Sequence, residues 1–189
     1  MLVVIPARLD SSRFPRKMLA LIAGEPLIRH TVRSVLAMNL DAEVVVAYDH
    51  SSIERAVGAL APCIRTSTAH RSGTERVIEV ANLSVFHGHD MYVNVQGDLP
   101  FITKPFVEAA VERLLAGGDI STVFTNLTKD AEVNEHRVKL VALEEEETER
   151  LWVVKFARSG AELGDLPSPH CEVGEHVGVY AYRQLAVDM

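Results

Sequence analysis

Short apolar runs alternate along the chain with stretches whose apolar residues recur at helical spacing. The apolar runs have the length of buried strands, whereas the periodic stretches are typical of amphipathic helices. The predicted strands lie at residues 2–5, 43–48, 63–65, 91–96 and 120–125. The predicted helices lie at residues 27–36, 51–60, 73–83 and 106–115. This alternation predicts an α/β fold, a Rossmann-like and mainly parallel sheet with helices on both faces.

The pattern changes after residue 126. Residues 138–143 and 151–157 read as two strands joined by an acidic turn, which predicts an antiparallel insertion near the C-terminus. Residues 158–175 have no period and are expected to form a loop, and 176–183 read as a last strand. We expect a single domain over residues 1–189, with an α/β half at 1–126 and an antiparallel half at 127–189.

Composition narrows the class of protein further. The 189 residues suffice for one domain with its own core, and the net charge of −7 argues against a surface that binds nucleic acid throughout. Two cysteines are too few for a disulfide framework. No apolar run reaches the ~18 residues needed to cross a membrane. These observations predict a cytoplasmic protein with no membrane partner.

Polar side chains follow three of the predicted strands, and after the strand at 43–48 they are Asp49 and His50. Pro6 is expected to end the first strand, and the loop after it contains Arg8, Arg13 and Lys17. Arginine offers a planar fork and lysine a point charge, so this loop can surround a polyphosphate, although an ordinary solvated loop is the alternative. Asp98 follows the strand at 91–96. A carboxylate there is a suitable Mg²⁺ ligand when phosphates complete the coordination, or simply a turn residue.

A further polar segment runs from His70 to Arg76 and opens a predicted helix. Ser72 and Glu75 have the spacing of a capping box, and the exposed N–H groups of such a helix start can bind an anion. The sequence contains neither a Walker A motif nor a G-x-G-x-x-G motif. Walker-type NTPases and the usual dinucleotide-binding dehydrogenases are therefore disfavoured.

Four segments in register resemble one known family. They are IPARLDSSRFPRKML, TSTAHRSGTER, NVQGDLPFI and HVGVYAYR, and together they resemble the 3-deoxy-manno-octulosonate cytidylyltransferase (CMP-Kdo synthetase) family. The resemblance implies a nucleotidyltransferase that joins CTP to the 2-keto sugar acid Kdo with Mg²⁺ and releases pyrophosphate. It also implies that residues 1–126 bind the nucleotide, whereas 127–189 face the sugar and the partner of a homodimer formed through residues 130–175.

The resemblance also assigns roles to individual residues. It implies triphosphate contacts by Arg8, Arg13 and Lys17, and a magnesium ligand in Asp98; Arg8, Lys17 and Asp98 are the expected catalytic residues. It implies nucleotide-pocket positions for His70, Ser72 and Gln96. It implies sugar-acid contacts by Gln96, His176 and Tyr180.

The sequence departs from the family pattern at four places, one of them the region before His176, which lacks the usual Pro-Tyr-x-Arg pattern. Arg16 stands where the family usually has glycine, and Leu99 stands where it usually has glutamate. Family members continue beyond the last strand with a segment that provides a second magnesium-binding aspartate, and no counterpart is present in this sequence. Two alternatives therefore stand beside the Kdo enzyme: a CTP-binding relative without turnover, and a cytidylyltransferase for another acidic sugar such as a nonulosonic acid.

Overall fold

The structure, a computed structural model, describes residues 1–10, 14–145, 150–166 and 168–187. Its strands are β1 (Leu2–Ala7), β2 (Leu21–Ile22), β3 (Glu25–Pro26), β4 (Glu43–Tyr48), β5 (Cys63–Arg65), β6 (Met91–Val95), β7 (Ile120–Asn126), β8 (Lys139–Glu145), β9 (Arg150–Ala157) and β10 (Cys171–Arg183). Its α-helices are α1 (Leu27–Ala37), α2 (Ser51–Val57), α3 (Gly73–Ala81), α4 (Lys104–Leu115), α5 (Lys129–Val133), α6 (Gly160–Leu163) and α7 (Gln184–Val187). Among these helices, none is long and apolar enough to cross a membrane.

The first of two compact units contains Met1–Thr122 and Gly178–Met189. Its strands follow the order β5-β4-β1-β6-β10. The pairs β4–β5, β1–β4 and β1–β6 are parallel, whereas the end of β10 is antiparallel to its neighbour β6. All six residues of β1 are buried, as expected for the central strand of a parallel sheet. This unit confirms the predicted α/β class with a mainly parallel sheet.

Strand β1 continues through Pro6 to Ala7, so the predicted strand end at Pro6 is wrong. Pro6 occupies a ladder position opposite Ala47, and its carbonyl accepts a hydrogen bond from Gly97 N–H at 3.2 Å. Proline removes one donor from a ladder but keeps its acceptor, and its fixed φ is tolerated in an extended chain. Arg8 is therefore the first residue after the buried strand β1, at the carboxyl edge of the sheet.

Helix α1 buries Leu27, Ile28, Val32 and Val35 as its apolar pattern predicts, but not Leu36, which is 39% exposed. The polar residue Thr31 of the same helix, by contrast, is fully buried. Its hydroxyl donates to the Gly97 carbonyl at 2.8 Å, which satisfies the polar group inside the core. The helix thereby supports the turn that follows β6.

The second unit contains Val123–Val177. Strand β8 pairs antiparallel with β9 and with the first residues of β10, which confirms the predicted insertion. Residues 146–149 of the acidic turn lie outside the described residues. Strand β10 begins at Cys171, so the predicted loop to residue 175 is wrong there. The predicted division also differs, because the end of β10 pairs with β6 and belongs to the first unit.

Lys139 is fully buried at the start of β8. Its ammonium donates to the carbonyl oxygens of Asn134 at 2.7 Å, Arg137 at 3.2 Å and Arg158 at 2.6 Å. Three donors meeting three acceptors leave no ammonium proton unpaired. One side chain thus holds the segment before β8 and the segment after β9 in the same unit.

The variant Lys139→Met should therefore lower the free energy of unfolding by about 2–3 kcal/mol, because buried carbonyls lose their donor. The melting temperature should fall by roughly 4–12 °C in a calorimetric scan. Lys155→Met is the matched control, since Lys155 is exposed and donates to the Leu163 carbonyl at 3.1 Å. Equal melting temperatures for the two variants would contradict the role given to Lys139.

Candidate functional site

The carboxyl ends of β1 and β6 meet at one edge of the first unit. The two strands are parallel neighbours, with Val4 opposite Asn94. Arg8 therefore follows one strand next to the Gln96–Asp98 turn that follows the other. Ligands of open parallel sheets bind beyond such strand ends. The structure thus places two of the three predicted strand-end groups side by side, and Asp49 of the third accepts a hydrogen bond from Leu9 N–H in the loop after β1.

Lys17 and Asp98 form an ion pair at this edge. The Lys17 ammonium lies 2.5 Å from Asp98 Oδ2, across 81 positions of sequence. The two side chains are 37% and 32% exposed, so both groups can be reached from solvent. The cation of the loop and the carboxylate of the turn therefore face one space, which is what shared binding of a phosphate and its metal ion requires.

The turn approaches β1 so closely that residue 97 has no room for a side chain. A Cβ on Gly97 would lie 2.8 Å from the Pro6 carbonyl oxygen, 3.2 Å from Ile28 Cδ1 and 3.3 Å from Met18 Sδ. Backbone and core atoms of this kind cannot move aside cheaply. Glycine at this position therefore fixes the distance between Asp98 and the segment that contains Lys17.

Arg16, just before Lys17, adopts the left-handed backbone conformation with φ 55° and ψ 33°. This region costs a residue with a Cβ roughly 1–2 kcal/mol, whereas glycine enters it freely. The geometry gives a physical reason why glycine suits this position. In this chain the turn that presents Lys17 bears the strain together with an extra positive charge.

Arg16→Gly should raise the free energy of unfolding by about 0.5–1 kcal/mol, since relief of the strain exceeds the added entropy of the unfolded chain. Chemical denaturation measures this change. Arg16→Ala is the matched control, because alanine removes the charge but keeps the Cβ. If alanine stabilises the protein as much as glycine does, charge rather than backbone strain is responsible.

Helix α3 begins beside the same strand ends. Ser72 is its N-cap and accepts a hydrogen bond from Glu75 N–H at 3.2 Å, which confirms the predicted cap. A Cβ on Gly73 would lie 3.1 Å from Pro6 Cγ and 3.4 Å from Gln96 Nε2. The helix start, the end of β1 and Gln96 therefore lie in direct proximity, although the Ser72 hydroxyl is engaged in capping.

His70 is held by carboxylates of α3. Its Nε2 contacts Glu79, and its Nδ1 lies 3.5 Å from Glu75. The Arg71 amide lowers the pKa of Glu75, with His70 adding to the effect. Burial opposes ionisation of Glu79, but hydrogen bonds from the Ser67 amide and His70 outweigh it and lower the pKa of that carboxyl. His70 thus holds the loop before α3 against that helix. A contact between His70 and a nucleotide stays a prediction.

The other predicted residues lie as follows. Arg8 is exposed at the end of β1, and Arg13 lies outside the described residues.

Tyr180, a predicted contact of the sugar acid, faces Asn94 across the β6–β10 ladder. Its ring stacks on that of Tyr182, with centroids 6.1 Å apart, and burial raises the pKa of Tyr180 to about 12. His176 belongs to the second unit, where burial lowers its pKa to about 4 and keeps it neutral at pH 7.

Comparison with known proteins decides the family. A sequence model described as cytidylyltransferase matches residues 2–189. The chain belongs to the cytidylyltransferase family. The protein is accordingly a nucleotidyltransferase, and the resemblance stated from the sequence is confirmed.

Individual proteins similar to this cytidylyltransferase have names that agree with the family assignment. The 3-deoxy-manno-octulosonate cytidylyltransferase of Bartonella quintana is 36% identical over 191 residues, covering 99% of this chain and 76% of that protein. That of Methylobacterium nodulans is 40% identical, covering 99% and 74%. A solved CMP:2-keto-3-deoxy-manno-octonic acid synthetase complexed with CTP matches with a TM-score of 0.76 and 32% identity, covering 99% and 75%. A cytidylyltransferase from Leptospira borgpetersenii, at 13% identity and a TM-score of 0.59, shares the fold.

The cytidylyltransferase also has a buried ion pair between members of two predicted polar segments, and the sequence did not predict that these two residues pair. Arg76 on α3 is 2% exposed, and its guanidinium lies 3.0 Å from Asp49 Oδ2, just after β4. Burial lowers the pKa of Arg76, and the attraction of Asp49 opposes the change. The helical pattern contains a signal for this pair, because Gly73, Arg76, Val77 and Val80 fall on one helix face. A charge on an otherwise apolar face indicates a buried partner.

Asp98 offers a metal ion a hard carboxylate oxygen beside the residues expected to bind phosphate. Within the described ranges, no cluster of three or more His, Cys, Asp or Glu side chains could hold a metal ion. Mg²⁺ commonly takes one or two carboxylates and completes its shell with phosphate and water oxygens. The donor set therefore suits Mg²⁺ bound together with a nucleotide.

Proposed function

We propose that this cytidylyltransferase joins CTP to Kdo and forms CMP-Kdo and pyrophosphate. The single observation that supports this most directly is the Lys17–Asp98 pair at the carboxyl edge of the sheet, in a chain whose relatives are named for that reaction. One similar solved synthetase is complexed with CTP. The proposal extends the substrates of those relatives to this chain.

The residues at the edge suit the chemistry. A hydroxyl of the sugar acid loses its proton to water as its oxygen attacks the α-phosphorus of CTP. An O–P bond forms, the bond from the α-phosphorus to the oxygen bridging to the β-phosphate breaks, and its electron pair leaves with pyrophosphate. Little covalent work falls to the protein in such a transfer, so positioning and charge neutralisation dominate. Lys17 and Arg8 would neutralise the phosphates, and Lys17 would exchange its contact with Asp98 for one with phosphate.

Mg²⁺ is proposed as the cofactor, with Asp98 as its ligand from the described residues. When bound, the ion would neutralise phosphate charge and help to orient the triphosphate. Gln96 and the start of α3, which lie close together at Gly73, would line the nucleotide pocket. His176 and Tyr180 are the proposed contacts for the sugar acid.

The test of this function is pyrophosphate release from the purified protein with CTP, Mg²⁺ and Kdo. We expect release with Kdo and no release when ATP, GTP or UTP replaces CTP. Release only with a nonulosonic acid would change the sugar and keep the reaction. CTP binding by calorimetry without release from either sugar would support the binding relative without turnover, and absence of CTP binding would contradict the proposal.

We also propose a homodimer formed through β9. This strand ends the β8–β9 ladder and exposes 40–49% of each of four apolar side chains, Trp152, Val153, Val154 and Phe156. Contiguous exposed apolar side chains of this size are typical of an interaction surface. A second copy of the chain can cover these side chains by packing along β9.

The variant Val154→Asp should weaken the homodimer about 100-fold, since it places a charge in an apolar contact. Sedimentation velocity should show the wild type at twice the 20.8 kDa chain mass and the variant shifted toward the single chain. Val85→Asp is the matched control, because Val85 is 74% exposed and lies outside residues 130–175. A monomeric wild type would contradict the dimer.

A further inference from the structure

The buried Arg76–Asp49 pair lies directly beneath the loop that follows β1. Arg76 donates to Asp49 Oδ2 at 3.0 Å, to Thr66 Oγ1 at 2.6 Å and to the Ser67 carbonyl at 2.9 Å. The other oxygen of Asp49 accepts the Leu9 N–H at 2.9 Å. One guanidinium thereby connects α3, the loop after β5 and, through Asp49, the peptide next to Arg8.

Asp49 is therefore a carboxylate that is paired with one arginine and bonded to the residue after another. Arg76 pairs with it inside the protein, and Arg8 immediately precedes Leu9, whose N–H donates to the same carboxylate. Among the residues that the structure describes, Arg8 itself forms no ion pair and is exposed. The carboxylate is only 12% exposed, so water screens its charge weakly. Without Arg76 it would attract another cation.

We propose that Arg76 is a positioning residue that keeps Asp49 paired, so that Arg8 stays available for the phosphates of the nucleotide. The inference rests on the proposed function, because it assigns Arg8 to the triphosphate. In the absence of Arg76, Arg8 turns back toward Asp49, and a phosphate must then compete with that carboxylate. Binding of CTP is weakened although no residue that touches CTP has changed.

The test compares dissociation constants for CTP by calorimetry. Arg76→Met should weaken CTP binding about 10- to 100-fold, whereas the double variant Arg76→Met with Asp49→Asn should return to within about threefold of wild type. Asparagine keeps an oxygen for the Leu9 N–H but removes the charge that captures Arg8. A merely structural role for Arg76 predicts no recovery, because the double variant lacks the same buried contacts.

Arg29→Met is the matched control. Arg29 on α1 also donates to two carbonyls, those of Ala56 at 2.9 Å and Val57 at 3.1 Å, and it is not part of the site. Its loss should lower stability without changing the dissociation constant for CTP. Arg76→Lys, which keeps a positive charge beside Asp49, should bind CTP within about threefold of wild type.

Arg76→Gln serves as a second variant if methionine prevents folding, because glutamine can still donate to Thr66 or the Ser67 carbonyl. It should weaken CTP binding like methionine, and Asp49→Asn should again restore it. Wild-type affinity in a folded Arg76→Gln or Arg76→Met protein would overturn the inference, as would failure of Asp49→Asn to restore binding. If the wild type itself binds no CTP, the proposed function fails instead.

Discussion

Lys17→Met should lower kcat for Kdo-dependent pyrophosphate release about 10²- to 10³-fold. The ammonium lies at the carboxyl edge of the sheet, 2.5 Å from Asp98, in a position to neutralise charge on the departing phosphates. Loss of one preorganised electrostatic contact of this kind typically costs about 3–4 kcal/mol in the transition state. Methionine has a similar length and no charge, so the loop keeps its bulk.

The matched control for this variant is Lys104→Met. Lys104 begins α4 and pairs with Glu108 at 3.3 Å on an exposed helix surface, where such a pair contributes little. Its kcat should stay within about twofold of wild type. Lys17→Arg should recover part of the loss, because the charge is kept but its position changes. If the Lys17→Met enzyme has the same kcat as the Lys104→Met enzyme, Lys17 does not contribute to catalysis.

Asp98→Asn should have the second large effect, a roughly 10²- to 10³-fold fall in kcat together with a higher Mg²⁺ requirement. Asparagine has the same shape as aspartate, so the turn held by Gly97 and Thr31 should persist. The neutral amide is a weaker ligand for a hard cation than a carboxylate. The Mg²⁺ concentration for half-maximal rate should therefore rise about tenfold or more.

Asp119→Asn is the control for this second variant, since Asp119 is exposed before β7 and its backbone carbonyl, rather than its side chain, accepts from Arg183 N–H. Both its rate and its Mg²⁺ requirement should match those of the wild type. An Asp98→Asn enzyme with an unchanged Mg²⁺ requirement would show that the metal is held elsewhere.

The parallel half of the fold could be predicted because its strands are buried on both faces. Runs such as Leu2–Ile5 and Val44–Tyr48 are apolar throughout, and chain order with helical crossovers then brings their carboxyl ends to one edge. This reasoning places Arg8 beside Asp98 without any knowledge of the family. The individual roles of these residues came from the resemblance and are still predictions.

The start of β10 could not be predicted in the same way. Residues 171–175 contain two glutamates and a glycine, and they follow a stretch rich in proline and serine. They form a strand because β8 pairs with them, and Gly174 lies against Phe124 where a Cβ would have no space. Such pairing depends on residues about 30 positions away, which a local pattern does not record.

The buried charges are a second limit of sequence reasoning. Arg76 and Lys139 are polar by identity, yet both are enclosed because distant partners satisfy them. Arg76 meets Asp49 across 27 positions, and Lys139 meets the Arg158 carbonyl across 19. A periodic pattern predicts which helix face or strand is buried. Only the folded structure shows which hydrogen-bond acceptors lie beside a buried charged group.

A crystal structure of the protein soaked with CTP and Mg²⁺ would show whether the loop after β1 and the turn after β6 bind one nucleotide between them. We expect a triphosphate within hydrogen-bonding distance of Arg8 and Lys17, with Asp98 coordinating the ion and the Lys17–Asp98 contact opened. A triphosphate bound away from this strand edge, or an ion that leaves Asp98 paired with Lys17, would contradict the proposed site.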